Sequence, residues 1–212
     1  MTRELLIFGD SNTYGAIPMT ALGVPGRYDA ETRWPDVVAR ELAPDWEVVA
    51  EGLPGRTAQF DDPVNGAHMN GGTGLRIALE SHGPIDKLVI MLGTNDAKKR
   101  FMASPEMITA GLAGLVDLAL HDDYQQRHGG FDVLLICPPP VIEVGVLNGE
   151  FQDSAAVSQG LAPVLRDYCA KRGIGFFDAG EVIEVSPVDG VHYEAEAHIA
   201  LGKAVAKAIK AG

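Results

Sequence analysis

The sequence predicts an α/β fold: one domain spanning residues 1–212, with a central, mostly five-stranded parallel sheet covered by helices on both faces. Two observations point to it. Short apolar runs alternate along the chain with stretches of helical periodicity, the pattern of strands buried on both sides and joined by helical crossovers. The 212 residues, 46% of them hydrophobic, suffice for one substantial core, and no internal repeat, low-complexity segment or Gly/Ser/Pro-rich linker divides the chain.

Taken in order, the first strand is read at residues 4–8, an apolar run that ends in Gly9-Asp10-Ser11. Thr32 is placed to cap a helix in which Trp34, Val37, Val38, Glu41 and Leu42 form a mainly apolar stripe. The second strand is read at 47–50 and the third at 87–92. Ser104-Pro105-Glu106 starts the next helix: Ser can cap, Pro fits the first turn, and Ile108, Leu112, Leu115, Val116 and Ala119 follow on one side. The fourth strand is read at 133–136, and a weaker fifth at 175–177. A final helix presents Leu201, Ala204, Val205, Ala208 and Ile209, with Glu194 and Glu196 before it and Lys203, Lys207 and Lys210 along it, an order that suits the helix dipole. The stretches 12–31, 52–74 and 138–153 read as neither strand nor helix. Each follows a strand, so each starts at the carboxyl edge of the sheet, where folds of this class bind ligands. Their aromatic and aliphatic residues suit pocket walls better than a disordered tether.

A formal net charge of −12 repels phosphate backbones and anionic membrane surfaces, which argues against nucleic acid or membrane as partner. Cys137 and Cys169 have no metal-ligand spacing, and the apolar run before Cys137 reads as housing for a reduced, buried thiol. Neither a metal nor an organic cofactor is expected. The first apolar run is too short for a secretory signal and no stretch is long enough to span a bilayer, so a cytoplasmic address is expected.

The chemistry begins at Ser11, at the carboxyl end of the first strand, with Gly9 permitting a sharp change of direction. A serine hydroxyl attacks an acyl carbon only with a base beside it. Of six histidines, His68, His82, His121, His128 and His198 have ordinary readings in loops, at a polar helix end or within the last helix. His192 stands in Asp189-Gly190-Val191-His192 between the last strand and the last helix, where a turn can hold the carboxylate against the imidazole. Alone, Asp-x-x-His is also an ordinary surface turn. An oxyanion needs donors, each able to lower the barrier by roughly 3 kcal/mol. The Asn95 side chain of Gly93-Thr94-Asn95-Asp96, the backbone N–H of Gly55 and that of Ser11 are candidates, although both loops read equally well as plain turns.

These blocks occur in a recognisable order. Gly9-Asp10-Ser11, Gly55, Gly93 to Asp96, and Asp189-x-x-His192 resemble the four sequence blocks of GDSL/SGNH hydrolases over nearly the whole chain. Phe8 before the first block, Arg33-Trp34, Glu51-Gly52-Leu53, Arg56-Thr57, Asp61-Asp62-Pro63, Pro138-Pro139-Pro140 and the segment from Phe176 to Gly180 bring it nearer the bacterial arylesterase and acyltransferase/perhydrolase subgroup. The resemblance implies a flavodoxin-like three-layer α/β/α fold. It implies Ser11 as nucleophile, His192 as base with Asp189 as its partner, and Ser11, Gly55 and Asn95 as oxyanion donors. It further implies a small-molecule ester substrate with a short acyl group, and a homo-oligomer such as an octamer.

Two positions and one loop depart from the pattern. Asn12 stands where the family has Leu, which suggests altered polarity near the acyl-binding floor. Tyr14 stands where the subgroup has Trp, and residues 140–153 match poorly. Three readings stay open beside an esterase of short acyl esters: a carbohydrate or other O-acetyl esterase on the same scaffold, a non-catalytic flavodoxin-like module holding an anionic ligand, and an inactive relative. Against the second, the chain has no Gly-rich phosphate loop with a Lys.

Overall fold

A computed structural model describes residues 2–23 and 26–211. In chain order the elements are β1 (Arg3–Gly9), α1 (Ser11–Tyr14), α2 (Trp34–Leu42), β2 (Trp46–Gly52), α3 (Gly71–Ser81), β3 (Lys87–Met91), α4 (Pro105–Ala119), α5 (Asp122–His128), β4 (Asp132–Cys137), α6 (Asn148–Phe151), α7 (Ala155–Arg172), β5 (Gly175–Asp178) and α8 (Ala195–Ala211). The five strands form one parallel sheet in the order β2-β1-β3-β4-β5. This is the flavodoxin-like order, with its switch point between β1 and β3.

Alternation along β1 divides the core. Leu6 and Phe8 face the side covered by α3, α4 and α7, whereas Leu5 and Ile7 face the side covered by α2 and α8. Burial on both faces is why the central strands β1, β3 and β4 read as continuous apolar runs, whereas the edge strands β2 and β5 are only partly buried. On the second side Trp34 is fully buried against the sheet and α8, a side chain of this size removing 150–250 Å² from water. Register then positions the chemistry: Gly9 pairs with Gly52 on one side and Met91 on the other, so the loops after β1, β2 and β3 emerge together at one rim.

Each predicted strand is present, one or two residues longer at most ends. Ser104 caps α4 by accepting the Met107 N–H, with Pro105 in the first turn. Thr32 does not cap α2: its hydroxyl donates to Asp29, and the cap position falls on Arg33, which makes no side-chain cap bond. The irregular stretches are partly helical. The first contains α1, the second holds a short 3-10 turn at Ala67–Met69 and the start of α3, and the third contains another at Gly145–Leu147 followed by α6. Among the described residues no helix is long and apolar enough to cross a membrane.

Candidate active site

β1 ends at Gly9, and the buried Asp10 carboxylate accepts the Asn12 N–H at 2.9 Å, starting the single turn α1 with Ser11 first. At the other end of the chain, residues 186–193 form a compact turn. Ser186 N–H donates to the His192 carbonyl and Gly190 N–H to the Ser186 carbonyl. Gly190 has φ +79, and a Cβ there would lie 1.9 Å from the Ile142 carbonyl oxygen, so the turn packs against the 140s loop as only glycine allows.

The two turns meet. His192 Nε2 lies 3.1 Å from Ser11 Oγ, and His192 Nδ1 lies 2.6 Å from Asp189 Oδ2. Asp189 is completely buried, and His192 and Ser11 are nearly so. Asp189 Oδ1 accepts the N–H groups of Val191 and His192, both at 3.0 Å, and Oδ2 also accepts the Met19 N–H at 2.7 Å. Burial alone would raise the Asp189 pKa. The side-chain bond and charge of His192, with the Met19 and His192 N–H groups, outweigh it and hold the carboxyl below its ordinary value. A carboxylate so held fixes the imidazole with its proton on Nδ1, leaving Nε2 free to accept from a hydroxyl.

Gly55 and Asn95 share a cavity of about 280 Å³ with Ser11 and His192. Gly55 takes φ +91, which aims its backbone in a direction that favours glycine. Neither its N–H nor that of Ser11 is committed to an acceptor among the described residues. Asn95 Nδ2 donates to the Arg56 carbonyl at 3.0 Å and, over a longer 3.3 Å, to Asp10 Oδ2. Ile17, Met19, Phe151 and Val191 make one part of the wall apolar, while Asn65, Lys98 and Glu150 make another polar. A larger hollow of about 720 Å³ is lined by α3, α4 and α5 residues, including Arg76, Glu80, Asp117 and Arg127, and has no serine or cysteine in its wall.

Sequence reasoning gave no physical role to the groups that support this rim. The Arg56 guanidinium stacks 4.0 Å over the Phe8 ring and donates to the Gly9 and Glu51 carbonyls, tying the ends of β1 and β2; burial brings its pKa down to about 10. Burial pushes Asp10 up to about 6, despite the Asn12 N–H, and Asp96 up to about 7, although it accepts the Ala58 N–H. On the polar wall, Lys98 and Arg100 both pair with Glu150, and Arg100 also pairs with Asp62. Burial would raise Asp62, but the Val64 N–H, Arg100 and Asn65 bring it down to about 2.

Two of the noted departures have definite places. Tyr14 lines the cavity with the Arg27 guanidinium 4.1 Å over its ring. Asn12 is not part of the cavity wall. It is buried, and its Nδ2 donates to the Val191 carbonyl at 3.2 Å, so the expected change at an acyl-binding floor gives way to a link with the His192 turn. Cys137 and Cys169 are buried free thiols. His198 is fully buried, drawn down to about 4 by burial, and its Nδ1 accepts the Trp34 N–H. His82 pairs with Glu51, and His128 accepts the Ile85 N–H. Among the described residues no three His, Cys, Asp or Glu side chains are grouped to hold a metal ion.

Comparison with known proteins gives a consistent picture. Residues 7–199 match the GDSL-like lipase/acylhydrolase family. The chain is 36% identical to Est24, a carbohydrate acetylesterase from Sinorhizobium meliloti, with 99% of each chain covered and a TM-score of 0.93. It is 33% identical to the native aryl esterase of M. smegmatis, with 99% of each chain covered and a TM-score of 0.93. At 21% identity, a lipase/acylhydrolase from Enterococcus faecalis shares the fold with a TM-score of 0.67, over 99% of this chain and 96% of that one. Comparison with the curated proteins gave no match.

Proposed function

The chain belongs to the GDSL-like lipase/acylhydrolase family and is a carboxylic ester hydrolase, and from that premise we propose that it cleaves short-chain aryl and alkyl esters by two-step acyl transfer through Ser11. The hydroxyl attacks the ester carbonyl while His192 Nε2 takes its proton, and Asp189 holds the imidazolium that forms. Negative charge on the carbonyl oxygen is met by the N–H groups of Ser11 and Gly55 and by the Asn95 amide, whose long bond to Asp10 is the one that yields. His192 returns the proton to the leaving alcohol oxygen, and an acyl-Ser11 intermediate remains. Water then attacks with His192 again as base, releasing the acid and restoring the hydroxyl. An alcohol or hydrogen peroxide in place of water yields a new ester or a peracid, which is the acyltransferase or perhydrolase activity.

The observation that supports this reading above the others is the continuous Asp189–His192–Ser11 chain, 2.6 Å and then 3.1 Å long, opening into a cavity. The non-catalytic module has no need of such a chain. A second reading, action on acetylated sugars, is favoured by the polar wall of Asn65, Lys98 and Glu150, which suits a polyhydroxylated leaving group. The reading also takes residues 1–212 as one catalytic domain with a cytoplasmic address, assembled as a homo-oligomer, with the octamer as the form that sedimentation would test.

A serine-directed phosphonate, mapped by mass spectrometry, is expected on Ser11 and nowhere else. Labelling at another residue, or none, overturns the assignment. Rates on p-nitrophenyl acetate against an acetylated monosaccharide then separate the two substrate classes.

A further inference from the structure

The proposed proton transfer depends on holding two turns, 181 positions apart, in register. Among the described residues, three hydrogen bonds join residues 10–19 to residues 186–193. One is the Ser11–His192 contact itself, the second runs from Met19 N–H to Asp189 Oδ2, and the third from Asn12 Nδ2 to the Val191 carbonyl. The Met19 bond steadies the carboxylate. The Asn12 bond acts on the imidazole's own backbone, because the Val191 carbonyl and the His192 N–H belong to one planar peptide group. That plane is held at both ends: its N–H donates to Asp189 Oδ1 at 3.0 Å and its oxygen accepts from Asn12 at 3.2 Å.

Asn12 is also the residue next to Ser11, and its own N–H is fixed by Asp10. One side chain therefore spans from the turn bearing the hydroxyl to the peptide bearing the ring. Its other amide atom, Oδ1, is buried and has no partner among the described residues. A leucine of similar size would bury here without that unpaired oxygen, so what the amide supplies is the bond to Val191.

We propose that Asn12 is a positioning residue for this site: by clamping the Val191–His192 peptide it fixes the imidazole against the Ser11 hydroxyl. The proposal rests on Ser11 and His192 having the roles given above. In the absence of the clamp the ring relaxes by a fraction of an ångström, and reactive geometry degrades while substrate binding does not.

The test compares wild type with Asn12→Leu, which removes the donor and keeps the bulk, and Asn12→Ala, which removes both. Ser11→Ala serves as the control. Steady-state rates on an aryl acetate, the rate of phosphonate capture and the melting temperature are measured for each. In both variants kcat and the capture rate are expected to fall together by roughly 10- to 100-fold, with KM within about twofold of wild type. Should the leucine variant fail to fold, the smaller alanine variant decides. Folded variants with wild-type kcat and capture rates overturn the inference, as does a loss confined to KM. If the Ser11→Ala protein still turns over, the reading of the whole site fails and this inference with it. Unaffected Asn12 variants beside an inert Ser11→Ala protein sink the Asn12 inference alone.

Discussion

Replacing Asp189 by Asn changes one atom and tests the role given to this carboxylate most directly. Asp189 accepts from four N–H groups: Val191 and His192 backbone on Oδ1, and Met19 backbone with the His192 ring on Oδ2. An amide has one acceptor oxygen, so each orientation points its NH₂ at donors. With the oxygen toward the backbone pair, only the Met19 N–H is opposed, and the ring accommodates by moving its proton to Nε2. With the oxygen toward the ring, two backbone N–H groups are opposed. The first orientation leaves one buried donor unpaired, a cost of about 1–3 kcal/mol, and is the better of the two. Its tautomer presents an N–H to Ser11 and cannot act as base. The expected loss in kcat is roughly ten-thousand-fold, equivalent to about 5 kcal/mol of barrier, with much smaller changes in KM and a protein that remains folded. Initial rates on p-nitrophenyl acetate, phosphonate labelling and urea unfolding measure the three quantities. A folded Asp189→Asn protein with kcat within about tenfold of wild type would refute the tautomer argument.

Two further outcomes follow from the same structure. Gly190→Ala forces a Cβ to 1.9 Å from the Ile142 carbonyl at a φ of +79, so stability should drop on the order of 3 kcal/mol and kcat should fall as the turn shifts; equal urea midpoints would show that the turn has room. Asp96 is raised to about 7 by burial, so the folded state binds more protons than the unfolded chain between its ordinary pKa and about 7, and stability from this group falls as pH rises through that window. Asp96→Asn removes the titration and should gain melting temperature relative to wild type on going from pH 4 to pH 7, whereas parallel curves would contradict the assignment.

The central strands were legible because burial on both faces leaves runs such as Leu5 to Phe8 and Leu88 to Met91 with no polar alternation to misread. α4 announced itself through Ser104 and Pro105. α7 did not: Pro163 lies inside it, and its buried positions include Ser158 and Cys169 beside Leu161 and Leu165, too mixed a stripe to stand out. α3 opens on Gly71-Gly72-Thr73-Gly74, which reads as loop, yet the Asn70 side chain caps it and Leu75, Ala78 and Leu79 bury against the sheet. For the candidate site, the motifs named Ser11, His192 and Asp189, which lie in one hydrogen-bonded chain, and Gly55 and Asn95, which line the same cavity. What they could not contain is the support. The Met19 donor is a backbone N–H without side-chain signature, and the link from Asn12 to Val191 exists only once both turns are folded. Arg56 gave no sign that its charge would be buried against Phe8 rather than solvated.

The hydroxyl arrives with the first strand and the imidazole with the last turn before α8, and that helix packs on the sheet face shared with α2. Bringing them together closes a loop of nearly the entire chain, a non-local event whose entropic cost must be met before any reward is collected. On the proposed mechanism neither arm performs the chemistry by itself. Ester turnover is thus an intrinsic reporter of complete assembly: during refolding it should return only once the C-terminal arm has docked against the first strand.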